Sequence, residues 1–326
     1  TLSGAVSALG DGGSVTKKLK YPLTVVVAIA LITTAFYFGR NSASTEGAAS
    51  AGAATQSHTT PSHLTAFYLD MGASTSIGFQ PTGVVGHNGQ RTNVGYANDL
   101  VYRESLVGVT LTLTEVGCPG DTPQKVLDSA QPDACYTPPQ SQLTKSLAFL
   151  KAQTGPGLVT IDLGFNNVRP CLEAVPVNQA CLAAGIAAVG VDLPKIITQL
   201  KSAADRQVRF VGLEYFDPYL GFYLDGANGP AQATATLTGM DQLDELLGSV
   251  YTKAGIPIAN VPQAFDINEN TTVTLDNVGS IPLNVEKACQ LSWFCYGAPF
   301  GPDDHPNNAG YSLIAASIQA ALPKSW

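Results

Sequence analysis

A serine and a histidine lie in two segments whose composition suits nucleophilic catalysis. Ser74 follows an apolar run at 65–69 and a glycine turn, so the sequence places it just beyond the end of a buried strand. His305 follows Asp303 and Asp304 and precedes a proline. A carboxylate can orient one imidazole nitrogen while the other nitrogen takes a proton from a hydroxyl. The two segments therefore predict a nucleophile and its general base.

Two glycine-containing loops follow predicted strand ends and could donate hydrogen bonds to an anion. Gly120 lies after the second predicted strand, and Asn166 follows Gly164 after the third. A glycine lets the backbone approach a ligand closely, and an asparagine side chain adds a further N–H donor. With the backbone N–H of Ser74 these groups predict an oxyanion hole, although each loop alone is also typical of a turn or helix cap.

Apolar, β-branched runs alternate with helical patterns from residue 63 onward. Strands are predicted at 65–70, 108–115, 157–163, 207–214 and 256–261. Helices are predicted at 95–105, 122–130, 140–153, 192–205, 231–253 and 308–322. Nearly continuous apolar strands are typical of a parallel sheet covered on both faces. The pattern predicts an α/β fold, a three-layer α/β/α sandwich with a central parallel sheet and its chemistry at the carboxyl ends of the strands.

The N-terminal part of the chain differs in composition from the rest. The apolar segment at 21–40 has the length of a transmembrane helix or signal anchor, and the lysines before it place the tail at 1–20 in the cytoplasm. Small and polar residues dominate 41–62, which predicts a flexible linker before a domain at 63–326. We expect a single-pass protein of the cell membrane with an extracytoplasmic domain. The alternative is a signal peptide cleaved near 42–44, which would release a secreted protein.

Charge and cysteine content narrow the class of protein. The 326 residues carry a formal net charge of −8, which argues against a nucleic-acid-binding surface. None of the six cysteines shows the CxxC spacing of a zinc or redox site. An even number of cysteines suggests disulfides and an oxidising compartment. We predict pairing between sequence neighbours, one of 15 arrangements that six cysteines allow, namely Cys118–Cys135, Cys171–Cys181 and Cys289–Cys295.

The order of the four candidate loops resembles the motif blocks of the SGNH (GDSL-type) hydrolases, in particular secreted or membrane-anchored actinobacterial members. The resemblance covers about 66–323. The first block of the family resembles Gly72-Ala73-Ser74-Thr75, and the glycine of the second block resembles Gly120. The third block resembles Gly164-Phe165-Asn166-Asn167, and the fifth resembles His305 with the Pro-Asn that follows it. The resemblance implies the flavodoxin-like fold of that family, with Ser74 as nucleophile and His305 as general base. It also implies an oxyanion hole from Ser74, Gly120 and Asn166.

Three positions depart from the family pattern. Ala73 and Asn167 replace aspartates that lie outside the catalytic set. Pro302 stands three residues before the histidine, where the family usually has its acid. We therefore predict Asp303 as the acidic partner and Asp304 as the alternative acid. A dyad supported by a backbone carbonyl is a further possibility within the family.

The resemblance implies a serine esterase or lipase that hydrolyses carboxylic esters through an acyl-enzyme intermediate. Its substrate would be a lipid ester or an O-acyl group on an envelope glycan. We expect no cofactor and no metal, since the sequence contains no ligand cluster for one. Two alternatives stay open: an acyltransferase that uses the same residues, and a degenerate domain that serves as an interaction subunit for membrane proteins of an envelope complex.

Overall fold

The computed structural model describes residues 63–84 and 89–323. The predicted cytoplasmic tail, transmembrane helix and linker lie outside the described residues, so their prediction stays untested.

A parallel sheet forms the centre of the described chain. Its strands are β1 (Leu64–Gly72), β2 (Val109–Glu115), β3 (Gly157–Asp162), β4 (Val208–Leu213) and β5 (Ile258–Ala259). Their spatial order is β2-β1-β3-β4-β5, so the direction of winding reverses at β1. In parallel sheets, ligands bind beyond the carboxyl ends of the strands at such a reversal. The strand that carries Ser74 at its end is therefore the strand where the topology favours a site.

Nine α-helices are present in the described residues. They are α1 (Tyr96–Leu106), α2 (Pro123–Leu127), α3 (Gln142–Ala152), α4 (Phe165–Leu172), α5 (Gln179–Ala203), α6 (Gly229–Lys253), α7 (Val261–Ala264), α8 (Leu283–Leu291) and α9 (Asn308–Ala321). Two 3-10 helices (Thr75–Ile77 and Pro218–Leu224) and an antiparallel hairpin of β6 (Thr272–Leu275) and β7 (Gly279–Pro282) complete the elements. The structure thus adds α4, α7, α8 and the hairpin to the elements predicted from sequence.

Successive residues of β1 point to opposite faces of the sheet, and both faces are buried. Leu69 and Met71 belong to one hydrophobic core, while Ala66 and Tyr68 belong to another. Helices α3 to α6 contribute to the first core, and α1 and α9 contribute to the second. The central parallel sheet is confirmed, and the apolar strands predicted from sequence are apolar because helices cover them on both sides.

Helix α5 is longer than the sequence pattern predicts. It begins at Gln179 instead of 192, where the side chain of Asn178 caps it by accepting a hydrogen bond from the Cys181 N–H. The Ala- and Gly-rich first half lacks a strong apolar stripe, which explains why the pattern missed it. Among the described helices, only α5 is long and apolar enough to cross a membrane. Its residues Leu182, Val189 and Leu193 are buried in the first core, so packing accounts for part of its apolar character.

Three disulfides join the cysteines in sequence order. The pairs are Cys118–Cys135, Cys171–Cys181 and Cys289–Cys295. Each pair closes a short loop, because the sequence separations are only 17, 10 and 6 residues. None of the three crosses the central sheet, so they constrain connections between elements.

Candidate active site

The end of β1 holds Ser74 in a fixed position beside β3. A Cβ atom added at Gly72 would lie 2.6 Å from the carbonyl oxygen of Asp162, so only glycine fits there. The next residue, Ala73, donates its N–H to that same carbonyl. Ser74 then starts a 3-10 helix, and its carbonyl accepts a hydrogen bond from the Phe79 N–H. These contacts turn the chain sharply and leave the serine hydroxyl beyond the strand end.

His305 is fixed by backbone contacts with the segment after α8. Its carbonyl accepts the N–H of Trp293 at 3.0 Å, and Ser292 pairs with Pro306 in an isolated β-bridge. Asn307 caps α9 and donates its side-chain N–H to the carbonyl of Gln290. The imidazole is therefore positioned before α9 begins, and only 7% of His305 is exposed.

Ser74, His305 and Asp303 form a continuous hydrogen-bonded relay. The Ser74 Oγ lies 2.7 Å from His305 Nε2, and His305 Nδ1 lies 2.8 Å from Asp303 Oδ1. The Asp303 oxygen also accepts the His305 backbone N–H at 3.0 Å. Because an ionised carboxylate only accepts, Nδ1 must carry the proton and Nε2 is free to accept the serine hydrogen. This is the arrangement in which a neutral imidazole acts as general base toward a hydroxyl.

Asp304, the alternative acid, has other partners. Its Oδ2 accepts a hydrogen bond from the Tyr219 hydroxyl at 3.1 Å and lies 2.8 Å from the Arg169 Nε. Its Oδ1 lies 3.4 Å from His305 Nδ1 and makes no hydrogen bond among the described residues. Burial disfavours the charge of the guanidinium, but the Asp304 carboxylate and its acidic neighbours outweigh this and raise the pKa of Arg169. The geometry thus favours Asp303 over Asp304 as the partner of the imidazole.

The two loops predicted to donate hydrogen bonds lie after β2 and β3. Gly120 has a φ of +79°, a conformation that other residues adopt only with strain. The Asn166 side chain donates an N–H to the backbone carbonyl of Asp121 at 3.0 Å, which ties the two loops together. A carboxamide nitrogen carries two hydrogens, so one remains for another acceptor.

Gln142 is a functional candidate that the sequence did not reveal. It is fully buried at the start of α3. Its side chain makes two hydrogen bonds to the backbone of Gly72: it accepts the glycine N–H at 2.9 Å and donates to the glycine carbonyl at 2.8 Å. The same side chain donates to the Asp121 carboxylate at 2.7 Å. Gln142 therefore couples the serine loop to the loop that contains Gly120. Glutamine is common in helices, so its sequence position carried no signal.

Two buried aspartates near the site have raised pKa values. Burial is the main cause that raises the pKa of Asp121 to about 7, assisted by the charge of Asp133 and opposed by the bond from Gln142. Burial likewise raises the pKa of Asp162 to about 6. Desolvation disfavours the charged form of a carboxyl group, which is the expected direction for both.

Two groups of side chains among the described residues have the spacing of metal ligands. The first consists of Asp303, Asp304 and His305, whose ligand atoms lie within 4.8 Å of one another. Both ring nitrogens of that histidine are already engaged in the relay. The second group contains Cys118 and Cys135, which are joined in a disulfide and offer no thiolate. The donor sets therefore suit the relay and the disulfide better than a metal ion.

The aromatic segment after β4 packs inside the protein. Tyr215, Phe216 and Tyr219 are buried, and Tyr219 stacks on Phe222 at 5.8 Å between ring centroids. A cavity of about 20 Å³ lies between this segment and the site. A cavity of that size holds about one water molecule and cannot take up an acyl chain. Its lining includes Thr75, Asp162, Phe165, Tyr215 and Asp304.

Comparison with known proteins supports the fold. No protein-family model and no curated protein sequence matches the chain. Among solved structures, it is similar to phospholipase A1 from Streptomyces albidoflavus, with 19% identity over 79% of this chain and 99% of that chain and a TM-score of 0.52. It is also similar to an extracellular lipase from Streptomyces rimosus, with 18% identity over 79% of this chain and all (100%) of that chain and a TM-score of 0.51. The described chain therefore has the α/β fold of these two proteins.

Proposed function

We propose that the protein is a serine ester hydrolase in which Ser74 is the nucleophile, His305 the general base and Asp303 the acidic partner. The observation that carries this proposal is the relay, with 2.7 Å between Ser74 Oγ and His305 Nε2 and 2.8 Å between His305 Nδ1 and Asp303. A hydroxyl is a weak nucleophile until an adjacent base accepts its proton, and this geometry provides that base.

The proposed reaction has two steps that share one imidazole. In the first, His305 takes the Ser74 proton while the serine oxygen attacks the ester carbonyl. The imidazolium then gives that proton to the departing alcohol, which leaves an acyl group on the serine. In the second step, His305 takes a proton from water, the hydroxide attacks the acyl carbon, and the proton returns to the serine oxygen as the acid departs.

An oxyanion forms in both steps and requires hydrogen-bond donors beside the serine. We assign the backbone N–H groups of Ser74 and Gly120 and the side-chain N–H of Asn166 to this role. The hydrogen bond from Asn166 to the Asp121 carbonyl holds the carboxamide in place before substrate arrives. Donors fixed in advance stabilise the transition state because they need no reorganisation.

The proposed substrates are carboxylic esters of lipids or O-acyl groups on envelope glycans. The two similar Streptomyces proteins are a phospholipase A1 and a lipase, which favours the lipid class. The three disulfides suit an extracytoplasmic location. The cavity between the site and the aromatic segment is too small for an acyl chain, so we expect the chain to lie along the open surface beside Ser74.

The test is hydrolysis of p-nitrophenyl esters of increasing acyl length by the domain, compared between wild type and Ser74→Ala. We expect Ser74→Ala to abolish the burst of p-nitrophenol and the steady-state rate. Ser202→Ala is the matched control, because this exposed serine lies at the end of α5 away from the relay. A fluorophosphonate should label wild type at one serine and Ser202→Ala equally, with fluoride as the leaving group. Equal hydrolysis by wild type and Ser74→Ala, or labelling elsewhere, would contradict the proposal.

A further inference from the structure

Two adjacent carboxylates face the same nitrogen of one imidazole. His305 Nδ1 lies 2.8 Å from Asp303 and 3.4 Å from Asp304. An imidazole N–H can make one strong hydrogen bond, so the two carboxylates compete for it. Two uncompensated negative charges at this distance would also hold the imidazole in its protonated form, which cannot act as a base.

A network from two other elements holds one of these carboxylates. Arg169 on α4 lies 2.8 Å from Asp304, and Tyr219 donates its hydroxyl to the same oxygen. Asp304 is nearly buried, with 5% of its side chain exposed, whereas 41% of Arg169 is exposed. Arg169 also pairs with Glu173 one helical turn later, which fixes the direction of its side chain. The guanidinium thus approaches the buried carboxylate from the solvent side.

We propose that Arg169 is a positioning residue that neutralises Asp304 and leaves Asp303 as the sole partner of His305. The inference rests on the proposed function, because it assigns a role toward the proposed general base. Among the described residues, the ion-pair partners of Arg169 are Glu173 and Asp304, so it acts on the imidazole through Asp304. It would set the pH range in which the imidazole is neutral and able to accept the serine proton.

The signs of the expected effects follow from the charges around the imidazole. Besides the two aspartates and Arg169, the titratable groups that face this region among the described residues are Asp162, Glu173, Tyr219 and Tyr311. None of these four changes in the variants below. Loss of the guanidinium leaves Asp304 negative and favours the protonated imidazole. Loss of the Asp304 carboxylate leaves the guanidinium positive and favours the neutral imidazole.

The experiment is the pH profile of kcat/KM with p-nitrophenyl acetate. The acidic limb of this profile is the pH range in which kcat/KM rises as the imidazole loses its proton. We expect Arg169→Met to move this limb upward by about one pH unit, and therefore to lower kcat/KM about 10-fold at pH values below it. The double variant Arg169→Met with Asp304→Asn should restore the wild-type limb. Arg103→Met is the matched control, because Arg103 also pairs with a carboxylate four residues away on its helix, while its other hydrogen bonds go to Ser312 and not to Asp304. An unmoved limb in a folded Arg169→Met protein would overturn the proposal.

Two further variants keep the test decisive if Arg169→Met fails to fold. Asp304→Asn alone should move the acidic limb downward, and Arg169→Lys, which keeps the charge, should leave it in place. An unmoved limb in Asp304→Asn would contradict the proposal. Titration of the His305 ring by NMR in the same proteins reports the same shifts without catalysis. If the ring titrates as expected while no ester is hydrolysed, the proposed function fails and the role of Arg169 stands.

Discussion

At the scale of single residues, two neighbouring aspartates of the site differ in the groups that they bind. Asp303 accepts two hydrogen bonds from His305, one from the backbone and one from the ring. Asp304 binds Arg169 and Tyr219 through its Oδ2, while its Oδ1 lies 3.4 Å from the ring. Two residues with the same side chain, adjacent in the chain, therefore occupy different electrostatic environments, and substitutions at the two positions should have different consequences.

We expect Asp303→Asn to lower kcat about 10⁴-fold with little change in KM, because asparagine no longer selects the Nδ1–H tautomer of His305. Asp304→Asn, measured at a pH above the acidic limb, should lower kcat far less, because the relay from Asp303 to Ser74 is intact. Steady-state kinetics with p-nitrophenyl esters measures both. Near wild-type activity of Asp303→Asn would mean that another acceptor supports the histidine, either Asp304 or a backbone carbonyl as in a dyad.

At the scale of elements, buried polar side chains connect loops that follow different strands. Gln142 at the start of α3 bonds to the end of β1 and to Asp121 after β2. Asn166 at the start of α4 bonds to the backbone of the same Asp121. The loops after three strands thus form one hydrogen-bonded unit, and its centre is an aspartate with no proposed chemical role.

We expect Gln142→Met to destabilise the protein by about 1–3 kcal/mol, because the N–H of Gly72 and the carboxylate of Asp121 would lose buried partners. The rate kcat should fall as well, since the serine loop would no longer be held against the Gly120 loop. Denaturant unfolding and ester hydrolysis measure the two effects. Gln140→Met is the control, because Gln140 is exposed and only two residues away. Equal unfolding midpoints for the two variants would show that the Gln142 contacts contribute nothing.

Some parts of the fold and of the site could be predicted from the sequence and others could not, and the difference has physical causes. The strands were predictable because continuous apolar runs are a local signal, and the loops after them could be matched to family motifs. Helix α4 was missed because it is short and contains Pro170, which interrupts a helical pattern. Gln142 and Arg169 were missed because their partners are distant in sequence, and only the fold brings them together.

At the scale of the whole molecule, buried acids link stability to pH. Burial raises the pKa of Asp217 to about 7, although hydrogen bonds from Thr236 and Tyr219 oppose the shift. Asp121 also has a raised pKa of about 7. A raised folded-state pKa means that the folded protein binds the proton more tightly than the unfolded chain. The resulting stability is present at low pH and is lost as the pH rises from about 4 to about 7.

We therefore expect a higher melting temperature at pH 5 than at pH 8, and a smaller difference in Asp217→Asn, whose side chain no longer titrates. Thermal unfolding followed by circular dichroism at the two pH values measures this. Asp276→Asn, at an exposed turn position, should leave the difference unchanged. A wild-type protein that is more stable at pH 8 would contradict the assignment of these buried acids.

The three disulfides lie beside the proposed catalytic loops and away from the sheet. Cys118 is two residues before Gly120, and Cys171 lies near the end of α4, the helix whose second residue is Asn166. Cys295 follows the segment that binds the His305 carbonyl. Cys171 belongs to the first hydrophobic core and Cys181 packs against it, but strand and helix residues outside these bonds form most of both cores. A host cytosol that keeps thiols reduced would then yield protein with normal secondary structure but loosely held catalytic loops. Soluble expression alone would be a poor guide to whether a preparation is active.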